Sequence, residues 1–174
     1  LRDDAMTSQL LGWTTTLLAF DVTTSGFVPA RLPVRMRTSP DEVPVTFVVS
    51  ARTPVRAENS SDRLKVAAFT GATDAVVSAG ATELLLWGHD AQLQPGGRLA
   101  FVQGSFAQVV TIADAPLRFE APGWVASPSL PFDPVADAPA KVTRIRWSEP
   151  LGATLRPWDA LTPLALYGNL VDVR

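Results

Sequence analysis

Apolar and polar residues alternate with a period of two along much of this chain, and this alternation limits the possible folds more than any other feature. In RLPVRMRT, residues 31–38, Leu32, Val34 and Met36 fall on one face and three arginines fall on the other. Comparable runs occupy residues 45–50, 64–69 and 141–148. Since successive side chains of a β-strand point to opposite faces of the sheet, these runs predict half-buried strands.

Turn-forming residues separate these runs at intervals typical of sandwiches and barrels. Clusters such as TSPDEVP, AENSSD and QPGG leave about nine or ten candidate strands. Residues 98–112 predict two strands that meet at Gly104 and Ser105, or one strand bulged there. LALYGNLVDV predicts a last apolar strand, and only RPWDAL and part of residues 3–12 suggest helix. We predict an all-β single domain over residues 1–174, a β-sandwich or barrel of jelly-roll or Greek-key type.

Residues 121–140 contain five prolines, at positions 122, 128, 131, 134 and 139. Proline has no backbone N–H to donate, so this segment is neither a helix nor a central strand. It carries Trp124, Leu130 and Phe132, which make it too apolar for a flexible linker. We predict a proline-rich arm or long loop that packs on a surface of this subunit or of a neighbour.

The composition predicts a surface that is partly covered. Charged residues make up 18% of the chain, against roughly 25% in an average soluble protein. Ordinary solvated surfaces are rich in charge, so we expect the chain to assemble with copies of itself, as a homodimer or higher oligomer. The formal net charge of −2 provides no electrostatic basis for direct nucleic-acid binding.

The chain contains few of the residues that usually bind metals or cofactors. It has no cysteine and one histidine, which excludes disulfides and centres built from thiolates or several imidazoles. No calcium-loop pattern of acids is present, so we expect neither a metal nor a cofactor. The first residues, LRDDAMTSQLLGW, have acids where a secretory signal has bases, and no long apolar run follows. We therefore expect no signal peptide and no transmembrane segment.

His89, the single histidine, is followed by Asp90. A catalytic histidine needs a carboxylate on one ring nitrogen and a nucleophile on the other, whereas neighbours in an extended chain point to opposite sides. The sequence QGSFA around Ser105 lacks the second glycine of a nucleophile elbow. The glutamates are scattered and select no glycosidase pair. We interpret GHDAQLQPGG as a connection between strands in which His89 is exposed, and we expect no catalytic residues.

Five tryptophans suggest contact surfaces. Trp13, Trp87 and Trp147 lie in apolar strand runs, which predicts a core or an interface. Trp124 and Trp158 lie beside prolines in loops and are candidates for binding a sugar ring or, more often for such residues, for anchoring a protein–protein contact. With Phe132 of the proline-rich segment, they are our candidate interface aromatics.

Arg31, Arg35 and Arg37 form a row on one face of their strand. Such a row suits phosphates or lipid headgroups. The commoner explanation, which we favour, is charge that guards an edge strand or pairs with a neighbouring subunit. These three arginines complete the predicted interface residues.

The alternation of RLPVRMR, the absence of cysteine, the chain length and the proline-rich crossing resemble the small single-β-barrel capsid proteins of icosahedral phages with an internal membrane. The resemblance implies a structural virion protein, a jelly-roll subunit of the capsid. It implies contact with a second capsid protein and with an underlying membrane. The alternative is a carbohydrate- or receptor-binding β-sandwich of a decoration or tail protein, and a hydrolase is less favoured.

Overall fold

A computed structural model describes residues 8–11, 17–37, 39–69, 74–125 and 139–174. Regular structure in these ranges is β, apart from one turn of 3₁₀ helix at Ala57–Asn59. The strands are β1 (Ser8–Leu11), β2 (Leu17–Phe20), β3 (Gly26–Val28), β4 (Pro33–Met36), β5 (Val45–Val48), β6 (Thr53–Val55), β7 (Ala68–Phe69), β8 (Glu83–Trp87), β9 (Arg98–Gln103), β10 (Phe106–Thr111), β11 (Leu117–Ala121), β12 (Trp124–Val125), β13 (Ala140–Arg146), β14 (Ala165–Tyr167) and β15 (Leu170–Asp172). The predicted all-β fold is confirmed.

The alternating segments at 31–38 and 141–148 form strands with the predicted faces, whereas of residues 64–69 only Ala68–Phe69 is a strand, and Ala67 rather than Ala68 is buried. In β4, Val34 and Met36 pack against a buried cluster, while Arg35 is exposed. In β13, Ile145 is buried and Arg146 is exposed. The hydrophobic effect therefore favours these orientations, because burying Val34 and Met36 in β4 and Ile145 in β13 leaves the arginines beside them in water.

Residues 98–112 form two strands, the first of the two predicted arrangements. β9 and β10 pair antiparallel from Arg98 opposite Thr111 to Gln103 opposite Phe106. The turn between them places Gly104 at φ 57°. Glycine reaches this left-handed conformation without the steric cost that a Cβ would add.

Three sheets of three strands build the body, in the orders β1-β2-β15, β10-β9-β14 and β11-β13-β8. Neighbours in these sheets are antiparallel. The first sheet is continued by β5, because Val48 and Arg174 exchange backbone hydrogen bonds and Val49 bridges to Val173. Strand β4 then lies outside β5, as an edge strand.

A two-stranded ribbon covers one side of the first sheet. One strand of this ribbon runs through β3 and β4, and the other runs through β5 and β6. The Arg31 N–H donates to the Val49 carbonyl, and the Val49 N–H donates to the Leu32 carbonyl, so the pairing continues between the two halves. We call residues 26–56 the ribbon.

Strand β9 is buried on both faces. Leu99 and Phe101 belong to one hydrophobic cluster, shared with β8 and β13, while Ala100 and Val102 belong to a second cluster, shared with β2. The β10-β9-β14 sheet is therefore an internal layer. One of its faces packs on the β11-β13-β8 sheet and the other on the β1-β2-β15 sheet.

Strand β2 is also buried on both faces. Leu17 and Ala19 face β9, and Leu18 and Phe20 face a third cluster that the ribbon covers. The layers follow one another from the β11-β13-β8 sheet, through the β9 sheet, to the β2 sheet, which continues through β5 into the ribbon that packs over the Leu18 and Phe20 cluster. Face-to-face packing of antiparallel sheets is the arrangement of a sandwich, here repeated over more than two layers.

Other expectations need correction. The pairing of the described strands closes no barrel, so only the sandwich form of the predicted fold is supported. Residues 156–161 form turns and bends rather than a helix, and residues 8–11 form β1. The last apolar segment is two strands in different sheets, β14 and β15, because the chain leaves one sheet at Gly168. Of the predicted arm, residue 121 lies in β11 and residues 124–125 form β12, while residues 126–138 lie outside the described ranges.

Two buried asparagine side chains fasten loops to this framework. The Oδ1 of Asn169 accepts from the Arg56 N–H at 2.8 Å and its Nδ2 donates to the Arg56 carbonyl at 2.7 Å. Asn59 binds both backbone groups of Gln92 in the same way, at 2.8 and 3.2 Å. A side-chain amide can both accept and donate, so each asparagine forms the pair of backbone hydrogen bonds that a neighbouring strand would otherwise form.

Candidate interaction surfaces

His89 lies in the loop after β8, as predicted, but its ring is half-buried rather than exposed. Its Nε2 lies 2.9 Å from the carbonyl oxygen of Phe119. A carbonyl only accepts, so Nε2 carries the proton and a neutral ring has its acceptor at Nδ1. The His89 carbonyl in turn accepts from Arg118 at 3.0 Å. The histidine thus fastens its loop to the edge strand β11.

Several acidic side chains have local structural partners. Glu83 pairs with Arg146 at 3.5 Å, and Glu58 accepts from the Ser25 hydroxyl. Glu149 accepts from the Thr111 N–H at 2.8 Å, and this hydrogen bond lowers the pKa of its carboxyl. Among the described residues, no group of three His, Asp or Glu side chains has the arrangement of a metal site.

The tryptophans of the strand runs differ in burial. Trp147 is 3% exposed, and its ring centroid lies 5.1 Å from that of Phe101, so it belongs to the core as predicted. Trp87 is 41% exposed and does not belong to the core. Trp13 lies outside the described residues.

The predicted interface aromatics lie on separate elements. Trp124 begins β12 and stacks on Phe69 of β7, with ring centroids 4.0 Å apart at 31°. Trp158 is half-buried in a turn that Gln103 binds, since the Gln103 amide accepts from the Arg156 N–H and donates to its carbonyl. Phe132 lies outside the described residues. Phe69 is 57% exposed, so the stacked pair presents an aromatic surface.

The outer face of the β11-β13-β8 sheet is more apolar than the sequence indicated. Leu84 and Leu86 of β8 point into the core, so Leu85 and Trp87 point outward. Each of these two side chains begins a row that crosses the sheet. Leu85 lies opposite Arg144, which lies opposite Leu117. Trp87 lies opposite Val142, which lies opposite Phe119. We call this surface, Leu85, Trp87, Leu117, Phe119, Val142 and Arg144, the outer face.

Exposure on the outer face is concentrated in two side chains. Trp87 is 41% exposed and Leu117 is 50% exposed, while Leu85, Phe119 and Arg144 are half-buried and Val142 is fully buried. The solvent side of an antiparallel sheet is ordinarily polar. In ELLLW, residues 83–87, apolar side chains occupy both faces of the strand, so the sequence does not show which face is buried.

The arginines at 31, 35 and 37 are all exposed, on the side of the ribbon away from the core. Arg31 has φ 64°, a left-handed conformation, at the bend where the ribbon passes from β3 to β4. Arg35 lies on the edge strand β4, where a charged side chain hinders pairing with a further strand. Arg35 and Arg37 therefore share the predicted face, whereas Arg31 lies in the bend before β4 rather than on the strand.

A polar group that sequence reasoning missed lies where β2, β14 and the 3₁₀ turn meet. The carboxylate of Asp21 accepts from the N–H and the hydroxyl of Ser61. Burial, together with the negative charge of Asp21, raises the pKa of the Tyr167 phenol. No sequence motif connects these three residues, because they are distant in the chain.

Comparison of the chain with known protein families, curated proteins and solved structures finds no match. The class of the protein is therefore defined by the fold alone, as an all-β protein of stacked antiparallel sheets. In the part of the chain that the structure describes, no helix is long and apolar enough to cross a membrane.

Proposed function

We propose that this chain is a structural virion protein, a capsid subunit that assembles with copies of itself into a shell. The observation that carries the proposal is the outer face, where Trp87 and Leu117 stay exposed on the solvent side of a sheet. An exposed apolar sheet face of this kind is more often a site of contact with another molecule than a surface that stays in water. The low charge content of the chain supports the same function.

The outer face has the composition of an interface centre. Burial of apolar area contributes roughly 25 cal/mol per Å². Large aromatic side chains supply most of such area and are enriched among the residues that dominate binding. The ion pairs of Arg146 with Glu83 and Asp114 lie at one end of the face, where they form part of a polar rim.

Replacing Trp87 and Leu117 by serine is expected to weaken self-association of the chain by about tenfold or more, since two exposed apolar side chains are lost from one contact. Sedimentation velocity over a range of concentrations measures the change. The matched control is Val76→Ser with Leu161→Ser, because these side chains are 47% and 93% exposed but lie off the outer face. A strictly monomeric wild-type chain at every concentration would rule out the proposed function.

A capsid subunit must form closed or regularly curved assemblies rather than disordered aggregates. Electron microscopy of the concentrated chain, alone and with proteins of the same virion, tests this requirement. We expect uniform shells or curved sheets whose formation the Trp87→Ser and Leu117→Ser replacements prevent. Irregular aggregates from both the wild-type and the variant chain would count against a capsid role.

A carbohydrate- or receptor-binding module is the second candidate, and the exposed stack of Phe69 on Trp124 favours it. Flat aromatic surfaces of this kind suit the faces of sugar rings. In this case we expect binding on a glycan array that Trp124→Ala abolishes. Trp158→Ala is the parallel variant in the turn that Gln103 binds, and binding that survives both replacements would exclude these aromatics as the site.

A further inference from the structure

The ribbon concentrates positive charge in a chain that is acidic elsewhere. Residues 26–56 include five arginines and two acids, a net charge of +3. The whole chain carries −2, so the remaining residues carry −5. The arginines are Arg31, Arg35, Arg37, Arg52 and Arg56.

Among the described residues, the ribbon arginines take part in none of the ion pairs that the structure shows. The ion pairs within 4.0 Å are formed by Arg63, Arg98 and Arg146. Arg98, by contrast, binds Asp172 through two hydrogen bonds of 2.9 Å, and Arg118 donates to two backbone carbonyls. Within the ribbon, the Arg52 guanidinium lies 3.9 Å from the ring centroid of Phe27, which is itself 57% exposed.

The ribbon holds its charges in a fixed row. Val34, Met36 and Phe47 pack against the cluster beneath it, so the opposite side chains must point to solvent. Arg35 and Arg37, two residues apart along the strand, are separated by about 7 Å. Because the packed scaffold fixes the backbone of these arginines, binding carboxylates orders only their side chains.

We infer that the outward side of the ribbon is a contact surface for a second copy of this chain, whose carboxylates pair with the ribbon arginines. The inference rests on the proposed self-assembly and assigns a second surface to it, distinct from the outer face. Every copy of the chain carries the complementary negative charge, because the residues outside the ribbon have a net charge of −5. A contact between two different surfaces is heterologous, and repeated heterologous contacts build rings when the rotation closes and open filaments when it does not.

The test is self-association of the Arg35→Glu, Arg37→Glu variant, measured by sedimentation velocity at low and high salt. Arg63→Glu with Arg156→Glu is the matched control. It reverses two exposed charges that lie outside the ribbon and off the outer face, and both variants change the net charge from −2 to −6. Circular dichroism and thermal melting check that each variant is folded.

We expect the ribbon variant to associate about tenfold more weakly than the wild type at low salt and the control variant to stay within about twofold. Wild-type association should also weaken between about 50 and 500 mM NaCl, because salt screens exposed ion pairs. Unchanged association of the ribbon variant would overturn this inference while leaving the proposed function intact, provided that the Trp87→Ser, Leu117→Ser variant is impaired.

Two other outcomes also decide the matter. A wild-type chain that never associates would overturn both this inference and the proposed function. The inference would equally fail if the ribbon variant associated normally but lost binding to phosphatidylglycerol vesicles or to duplex DNA. In that case the arginines would serve an anionic membrane or a nucleic acid rather than a second copy.

Discussion

Replacing Asn169 by alanine is expected to lower the free energy of unfolding by about 3 kcal/mol, because it leaves the N–H and the carbonyl of Arg56 without their partner. Asn169 is 3% exposed, and its amide makes both hydrogen bonds to Arg56 at under 3 Å. The replacement also leaves a small cavity at the junction of β14 and β15. Chemical denaturation of the wild type and the variant measures the difference.

Gln108→Ala is the matched control for this prediction. The Gln108 amide also binds two backbone groups, the Pro150 carbonyl and the Gly152 N–H, but those hydrogen bonds are exposed. Water can replace them, so we expect a loss below about 1 kcal/mol. Equal losses for the two variants would mean that burial of the Asn169 contacts does not determine their contribution.

Asn169→Asp separates the two hydrogen bonds of the same side chain. The new carboxylate still accepts from the Arg56 N–H, but it faces the Arg56 carbonyl without a proton to donate. Burial and this contact raise the pKa of the carboxyl in the folded state. The variant should therefore gain stability relative to the wild type as the pH falls, and lose it as the pH rises through the folded-state pKa. A pH-independent difference would contradict the assigned hydrogen bonds.

Replacing Gly168 by alanine is expected to destabilise the chain by about 2–3 kcal/mol through overpacking. A Cβ at this position would lie 2.9 Å from the Cβ of Asn59, 3.0 Å from the Cδ2 of Leu93 and 3.2 Å from the Asn59 carbonyl oxygen. The Gly168 N–H also donates to that carbonyl at 3.0 Å, so the two backbones cannot move apart without losing a hydrogen bond. Thermal and chemical unfolding measure the effect.

Gly26→Ala is the control for overpacking, since nothing lies within 4 Å of a Cβ at that position. We expect this replacement to change the free energy of unfolding by less than about 0.5 kcal/mol. If Gly168→Ala proved as harmless as Gly26→Ala, the close approach of Asn59 to Gly168 would not constrain the fold.

The candidate surfaces were only partly predictable from the sequence. The shared face of Arg35 and Arg37 follows from strand periodicity, because alternate side chains share a face whatever the sheet packs against, whereas the bend at Arg31 does not. The position of the outer face does not follow from strand periodicity. In ELLLW both faces of the strand are apolar, and only the packing of Leu84 and Leu86 against β9 turns Trp87 outward.

The sequence by itself determined the all-β class and the half-buried strands, and it limited residues 104–105 to a turn or a bulge. These features depend on local properties, namely the alternation of side chains and the freedom of glycine to adopt a positive φ. Residues close together in the chain are sufficient to decide them.

Only the tertiary structure decided the number of layers, the burial of β2 and β9 on both faces and the break between β14 and β15. LLAF in β2 is apolar throughout, so its pattern does not reveal how many neighbours it has. The partners of Asn59 and Asn169 are backbone groups 33 and 113 residues away. A side-chain amide can bind any backbone amide that packing brings within reach, so no local pattern identifies its partner.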